Sequence, residues 1–73
     1  MIPTMQPKEE LIQRLEVVRI ASYLSHASLM REMNLTIATY KNFINGVGVS
    51  MRTLKRIHDY IVKKEKELGI ERS

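Results

Sequence analysis

The chain has 73 residues, a formal net charge of +4 and no cysteine. So short a chain allows one domain with one small core, because it buries only roughly 60% of its unfolded surface. The absence of cysteine excludes disulfides, thiolate nucleophiles and zinc–thiolate sites. The first residues, MIPTMQP, lack the basic start and apolar segment of a secretion signal, and no apolar run could span a membrane. We therefore expect a cytoplasmic domain.

Helices are predicted along the whole chain after a loosely ordered lead-in of residues 1–6. The first begins near Pro7, a residue suited to the first helical turn. Glu9 and Glu10 follow, and their negative charges are stabilised near the positive end of the helix dipole. Its apolar residues form two sets, Leu11, Leu15 and Val18 on one side and Val17, Ile20 and Ala21 on the other. The second set is expected either to be buried or to meet a partner subunit.

A pair of short helices is predicted next. Ser25 can cap a helix of residues 26–33, and Asn34 then suits a sharp turn because Asn tolerates the left-handed conformation. Thr36 can cap a third helix of residues 37–44. Two short helices joined by a tight turn are typical of a helix-turn-helix, whose second helix is sized for the DNA major groove.

A last helix is predicted from Ser50 to about Leu68, with Gly69 as its stop. It is amphipathic, with Leu54, Ile57, Ile61 and Leu68 on one side and Arg52, Lys55, Arg56 and Lys63 on the other. No strand pattern competes with the helices. The predicted fold is all-α, a small four-helix domain over residues 7–70 with a central helix-turn-helix and a tail of residues 71–73.

The positive charge is concentrated in one part of the sequence. The segment from Lys41 to Lys64 contains six basic residues and one acidic residue, a net charge of +5, so the remainder of the chain carries −1. A localised basic segment favours a polyanionic partner, although a solvated basic surface has the same composition.

The segment LSHASLMREMNLTIATYKNFING, residues 24–46, resembles the DNA-binding domains of the phage Cro and repressor family. Members of that family typically read L-S-Q-x-E-L-A-x-x-x-G-[IV]-S-x-x-x-[IV]-x-x-x-x-N-G, and the two align without a gap. The likeness extends from about Leu15 to Ile61, and the later MRTLKRI is similar to the family's fourth helix. The resemblance implies a sequence-specific regulator of double-stranded DNA, a small repressor of the phage or plasmid type, that binds as a homodimer.

The resemblance, with the chemistry of each side chain, gives the expected contacts. Base contacts are expected from Thr36, Ile37, Ala38 and Asn42. Phosphate contacts are expected from Ser25, His26, Lys41, Asn45, Arg52 and Arg56. Asn can bind adenine through two hydrogen bonds, and an apolar side chain can pack on the thymine methyl group. The alternative at each position is an ordinary solvent-facing residue.

Four positions depart from the family pattern. Met30 stands where the family prefers Ala, Asn34 replaces the turn Gly, and Tyr40 replaces Val or Ile. Arg19 aligns with an Arg that often pairs with an acid just before Asn-Gly, but that place is taken by Ile44, so the pair is expected to be absent. Met30, Tyr40 and the missing pair of Arg19 leave room for an alternative, in which the same fold is a protein-interaction module such as an adaptor, antirepressor or inhibitor.

Other chemistry finds little support in the sequence. His58 lacks a second His or Cys at metal-ligand spacing, and Met30, Met33 and Met51 are interpreted as core residues. The adjacent carboxylates, Glu9 with Glu10 and Glu65 with Glu67, are interpreted as exposed helix ends. We therefore expect no enzymatic activity, cofactor, metal or small-molecule substrate.

Two surfaces could support a dimer: the Val17 and Ile20 face, or the end of the last helix around Leu68 and Ile70.

Overall fold

A computed structural model describes residues 7–70 of the chain as four helices joined by short turns. The helices are α1 (Pro7–Ala21), α2 (His26–Glu32), α3 (Ile37–Ile44) and α4 (Met51–Leu68). No strand occurs within these residues, so the predicted all-α, four-helix fold is confirmed. The expected lead-in of residues 1–6 and the tail of residues 71–73 lie outside the described residues.

Helices α2, α3 and α4 begin with the same arrangement of hydroxyl groups. The capping oxygen accepts the N–H three residues later, from Ser28 to Ser25 at 3.1 Å, from Thr39 to Thr36 at 3.2 Å and from Thr53 to Ser50 at 3.2 Å. Each capping hydroxyl also donates to the hydroxyl of that later residue. These caps satisfy backbone donors that a helix start otherwise leaves unpaired, and they confirm the predicted caps at Ser25 and Thr36.

All four helices end on a residue in the left-handed conformation. These residues are Tyr23 and Asn34, both with φ 57°, Gly46 with φ 79° and Gly69 with φ 69°. In each case the N–H of that residue bonds the carbonyl three residues earlier, and the next N–H bonds the carbonyl five residues earlier. This is the Schellman arrangement of a helix C-terminus. The sequence pattern had indicated this role for Asn34 and Gly69, but it did not indicate it for Tyr23.

One core joins the four helices. Its eight buried hydrophobic side chains are Leu15, Val18, Leu29, Met33, Tyr40, Phe43, Ile57 and Ile61. Met33 is therefore a core residue as predicted, and Met30 packs against the core. The same prediction was wrong for Met51, which is 79% exposed. Met51 is the first residue of α4, roughly 9 Å along the helix axis from the first of its buried core residues, Ile57.

Only one side of α1 is buried. The set containing Leu15 and Val18 lies in the core, with Leu11 partly buried against it. On the opposite side Val17 is 51% exposed and Ile20 is 59% exposed. The structure therefore excludes burial of this second apolar set within the chain, while its contact with a partner subunit stays a prediction.

A mostly buried ion pair joins α1 to α4. Arg14 donates from Nη2 to Glu65 Oε1 at 2.7 Å and from Nε to Glu65 Oε2 at 3.0 Å. The two side chains are only 13% and 9% exposed. The interpretation of Glu65 as part of an exposed helix end was therefore wrong. Glu65 continues the buried side of α4 from Ile57 and Ile61 at steps of four residues, and it faces a cation on α1.

Two further bonds tie α4 to the helix-turn-helix. The Tyr60 hydroxyl donates to Glu32 Oε1 at 2.7 Å, at the end of α2. Burial raises the pKa of Tyr60 above its ordinary value, and the bond to Glu32 raises it further. Arg56 donates from Nη1 to the carbonyl oxygen of Asn34 at 3.2 Å, in the turn that leads into α3. Helix α4 thus contacts both α1 and the turn of the motif.

Removing the Glu65 carboxylate should be costly. We expect Glu65→Ala to lower the free energy of unfolding by about 3 kcal/mol, because it leaves the mostly buried Arg14 guanidinium without its partner. Urea unfolding followed by circular dichroism measures this. Glu67→Ala is the matched control, since Glu67 is exposed and its loss should cost about 0.5 kcal/mol or less. The double variant Arg14→Met/Glu65→Leu should recover much of the loss, and equal losses for Glu65→Ala and Glu67→Ala would contradict a role for the pair.

Replacing Tyr23 by glycine should stabilise the protein. Tyr23 is 97% exposed, so its side chain contributes little packing, yet it holds a left-handed conformation that costs about 1–2 kcal/mol in residues with a Cβ. After the greater entropy loss of glycine, we expect a gain of roughly 0.5–1 kcal/mol for Tyr23→Gly. Tyr23→Ala keeps the strain and should give no such gain in the same unfolding experiment.

Candidate nucleic-acid interface

One side of α3 faces solvent along its length. Tyr40 and Phe43 are buried, so the residues on the opposite side point outward. Ile37, at the start of the helix, is 59% exposed. The four predicted base-contact residues and the two predicted phosphate contacts at this helix are all exposed: Thr36, Ile37, Ala38 and Asn42, with Lys41 and Asn45. The predicted outward orientation of these residues is therefore confirmed, while contact with DNA stays a prediction.

A groove of about 430 Å³ runs between α2 and α3. From α3 it is lined by Ile37, Lys41 and Ile44, which recur at spacings of four and three and so share one side of the helix, and by Asn45. From α2 it is lined by His26, Ala27 and Met30, and its inner wall includes Tyr40. The structure thus gathers four of the predicted contact residues around one groove: His26, Ile37, Lys41 and Asn45.

His26 and Tyr40 are joined across this groove by a hydrogen bond. His26 Nδ1 lies 2.6 Å from the Tyr40 hydroxyl, and the rings meet edge-on with centroids 5.7 Å apart. Burial raises the pKa of Tyr40, so its hydroxyl keeps its proton at neutral pH. A hydroxyl that donates to Nδ1 leaves the proton of a neutral imidazole on Nε2, the ring's other nitrogen. The sequence does not indicate this pair, because the two residues lie 14 positions apart.

The hydroxyls of Ser25 and Thr36 already have partners. Ser25 Oγ donates to Ser28 Oγ at 3.1 Å, and Thr36 Oγ1 donates to Thr39 Oγ1 at 2.9 Å. A hydroxyl has one proton, so donating it to a phosphate or base would break the existing bond. Both residues therefore act as helix caps in the protein alone, and the predicted DNA contacts would use them as acceptors or rearrange them.

The two predicted arginine contacts lie on α4 and not in the groove. Arg56 is exposed and bonds the Asn34 carbonyl, which places it at the turn before the start of α3. Arg52 is exposed one turn earlier, bordering a separate depression with Leu11 and Met51. Any DNA contact by these arginines would therefore flank the groove.

The basic residues of α4 do not form one continuous patch. Arg52 and Lys64 are separated by twelve residues, roughly 18 Å along a helix. Lys55 Nζ lies 3.5 Å from Asp59 Oδ2, and Lys64 Nζ lies 3.5 Å from Glu67 Oε1. Lys41 lies on α3 itself, and Arg56 reaches the turn before α3.

Arg19 has a partner, but not at the position that the family pattern uses. Its guanidinium forms two hydrogen bonds to the Glu16 carboxylate, one of them from Nε at 3.1 Å, and donates to the Leu24 carbonyl at 3.3 Å. The bond from Arg19 lowers the pKa of Glu16 below its ordinary value. No acid stands at position 44, so the pair of the family pattern is absent, as expected. A carboxylate one helical turn earlier substitutes for it.

Other candidate sites are absent from the part of the chain that the structure describes. Among residues 7–70, no group of three or more His, Asp or Glu residues is placed to hold a metal ion. His58 is exposed, with Nδ1 3.5 Å from Asp59 Oδ1. None of the four described helices is both long and apolar enough to cross a membrane.

Comparisons with models of protein families, with curated proteins and with solved structures give no match. The likeness to Cro and repressor domains is therefore a resemblance of motif.

The bond between His26 and Tyr40 should stabilise the α2–α3 pair. We expect Tyr40→Phe, which keeps the ring and removes the hydroxyl, to lower the free energy of unfolding by about 1 kcal/mol. Tyr23→Phe removes a hydroxyl from a ring that is 97% exposed, and it should leave the free energy of unfolding unchanged. Nitrogen-15 spectra of the imidazoles should also show a changed tautomer balance for His26 in Tyr40→Phe alone, and an unchanged spectrum would contradict the assigned bond.

Proposed function

We propose that this protein is a sequence-specific regulator that binds double-stranded DNA, a small repressor of the phage or plasmid type. The observation that carries the proposal is the exposed side of α3, where Thr36, Ile37, Ala38 and Asn42 are all accessible in an ungapped helix-turn-helix motif. The eight residues of α3 span roughly 12 Å, which is close to the width of the major groove. In the proposed complex α3 enters that groove by its N-terminal end.

Base reading is assigned to residues on this exposed side. Ala38 and Asn42 are four residues apart, so their side chains are neighbours about 6 Å apart, a distance that spans about two base steps. Asn42 supplies the donor and acceptor of an amide, and Ile37 and Ala38 supply apolar contacts. Thr36 stands at the start of the helix, where the chain comes closest to the base edges in this arrangement.

Phosphate contacts set the position and affinity of the complex but not its sequence preference. Lys41, Arg52 and Arg56 supply three cations per subunit, and Ser25, His26 and Asn45 supply uncharged partners. Three neutralised phosphates per subunit correspond to a slope of about −2.7 in log affinity against log salt concentration. Action on DNA in a cell without a nucleus would place the protein in the cytoplasm, associated with the nucleoid.

A homodimer is part of the proposal, because one such domain reads only a few base pairs and the motif commonly binds two half-sites. Two surfaces were candidates from the sequence. At the end of α4, Leu68 is 37% exposed and Ile70 is partly buried against the core, whereas Val17 and Ile20 on α1 are each more than half exposed. The proposed dimer contact is therefore the exposed apolar side of α1.

That same side of α1 supports a second candidate function. An adaptor, antirepressor or inhibitor built on this fold would use Val17 and Ile20 to bind another protein, and its affinity for DNA would be weak and independent of sequence. The two functions differ in a measurable respect, since only the first requires a defined DNA sequence.

Selection of bound duplexes from a random DNA pool at near-physiological salt separates the two functions. We expect one short motif, arranged as an inverted repeat. Recovery of no motif, with binding that fades as salt rises, would contradict the regulator and favour the interaction module. Circular dichroism of each variant below confirms that loss of binding is not loss of folding.

Two variants should then behave differently on the selected duplex. Asn42→Ala should reduce discrimination at one base pair by about 1–3 kcal/mol, because it removes a paired base contact. Arg56→Ala should weaken binding to all sequences and reduce the salt slope by about 0.9 per subunit. Lys63→Ala, an exposed lysine near the other end of α4, is the control that should leave both quantities unchanged. An unaltered base preference in Asn42→Ala would refute the role given to α3.

A further inference from the structure

We infer that the DNA half-site is rich in A·T pairs and is read mainly through thymine methyl groups and one adenine edge. This inference rests on the proposed DNA-binding function and names the class of sequence that it would recognise. It follows from what the exposed side of α3 offers and from where the guanidinium groups lie.

Helix α3, with the sequence IATYKNFI, contains no arginine. Arginine, with two donors aimed at O6 and N7, makes the commonest specific contact to guanine in the major groove. Arg14 and Arg19 on α1 are bonded to the carboxylates of Glu65 and Glu16. Arg56 is bonded to the Asn34 carbonyl outside the groove. The other two described arginines, Arg31 and Arg52, lie on α2 and α4. No described arginine therefore projects from the helix that would read the bases.

What α3 does present at its start is apolar. Ile37 and Ala38 are its first two residues and both are exposed. The groove beside Ile37 continues this apolar surface with Met30, Tyr40 and Ile44. The 5-methyl group of thymine is the apolar group that a base pair offers in the major groove. An exposed Ile at the entering end of α3 thus matches thymine and gives no hydrogen bond to any other base.

Asn42 completes the set from one turn further along α3. Its amide can accept from N6 and donate to N7 of adenine, a pairing that guanine and the pyrimidines do not offer. Ala38 and Asn42 share a side of the helix, so a thymine methyl and an adenine edge can be contacted by neighbouring residues. The exposed side is therefore complementary to A·T pairs at consecutive positions.

Lys41 is the competing group, since a lysine can donate to guanine. It lies with Ile37 and Ile44 on the side of α3 that borders the groove beside α2, whereas Ala38 and Asn42 do not line that groove. From there its ammonium group is better placed for the phosphate backbone than for the floor of the major groove. A guanine in the half-site that depends on Lys41 would contradict the inference.

Deoxyuridine substitution tests the inference directly, because uracil differs from thymine only by the missing methyl group. On the selected duplex, replacing a contacted thymine should weaken binding by about fourfold for each methyl group lost. Replacing thymines outside the half-sites is the control and should have no effect. Equal affinity for the thymine and deoxyuridine duplexes would overturn the inference.

Ile37→Ala assigns the effect to its residue. The variant should bind the thymine duplex more weakly and should lose most of the preference for thymine over deoxyuridine. Val47→Ala is the matched control, since Val47 is also an exposed apolar residue but lies after α3. A preference for thymine that persists unchanged in Ile37→Ala would overturn the role of this side chain.

The selection and the deoxyuridine substitution together distinguish a failure of this inference from a failure of the proposed DNA-binding function. Recovery of no motif from the random pool would refute the regulator and the inference together. Recovery of a motif whose contacted pairs are G·C would refute the inference while the DNA-binding function stands. A motif dominated by A·T pairs, with the deoxyuridine effect and its loss in Ile37→Ala, would support both.

Discussion

Two helices of seven and eight residues make up the centre of this protein, and helices so short are not stable by themselves in water. Their stability has to come from burial of the side chains that face inward, chiefly Leu29 of α2 and Phe43 of α3. Those side chains are buried only because α1 and α4 supply the rest of the core. The orientation of the exposed side of α3 depends on that shared core, since rotating the helix would withdraw Phe43 from it.

Helix α4 joins the two parts of the structure. Its buried residues share the core with α1, and the Arg14–Glu65 pair extends that contact beyond the apolar residues. Its other polar side chains bond the motif at two points, Tyr60 at the end of α2 and Arg56 at the turn. A pair of short helices held in this way presents a defined surface, which the proposed reading of DNA bases would require.

The departures from the family pattern are accommodated by neighbouring residues. Tyr40, large for its position, buries its ring and directs its hydroxyl to His26 at the edge of the groove, so that its polar end is bonded. Arg19 is paired with the carboxylate of Glu16, one turn earlier on the same helix. Two of the departures, Met30 and Tyr40, give the groove beside α3 an apolar lining.

The sequence by itself determined the helices, because their signals are local: the caps at Ser25 and Thr36, the turn at Asn34 and the stop at Gly69 each act within a few residues. The DNA contacts expected of Ile37, Ala38 and Asn42 also implied that these residues face outward, and all three are exposed. Only the tertiary structure decided the burial of Glu65, the exposure of Met51 and the bond between His26 and Tyr40. Each of these depends on which residues of distant helices come into contact, and no pattern within a single helix specifies that contact.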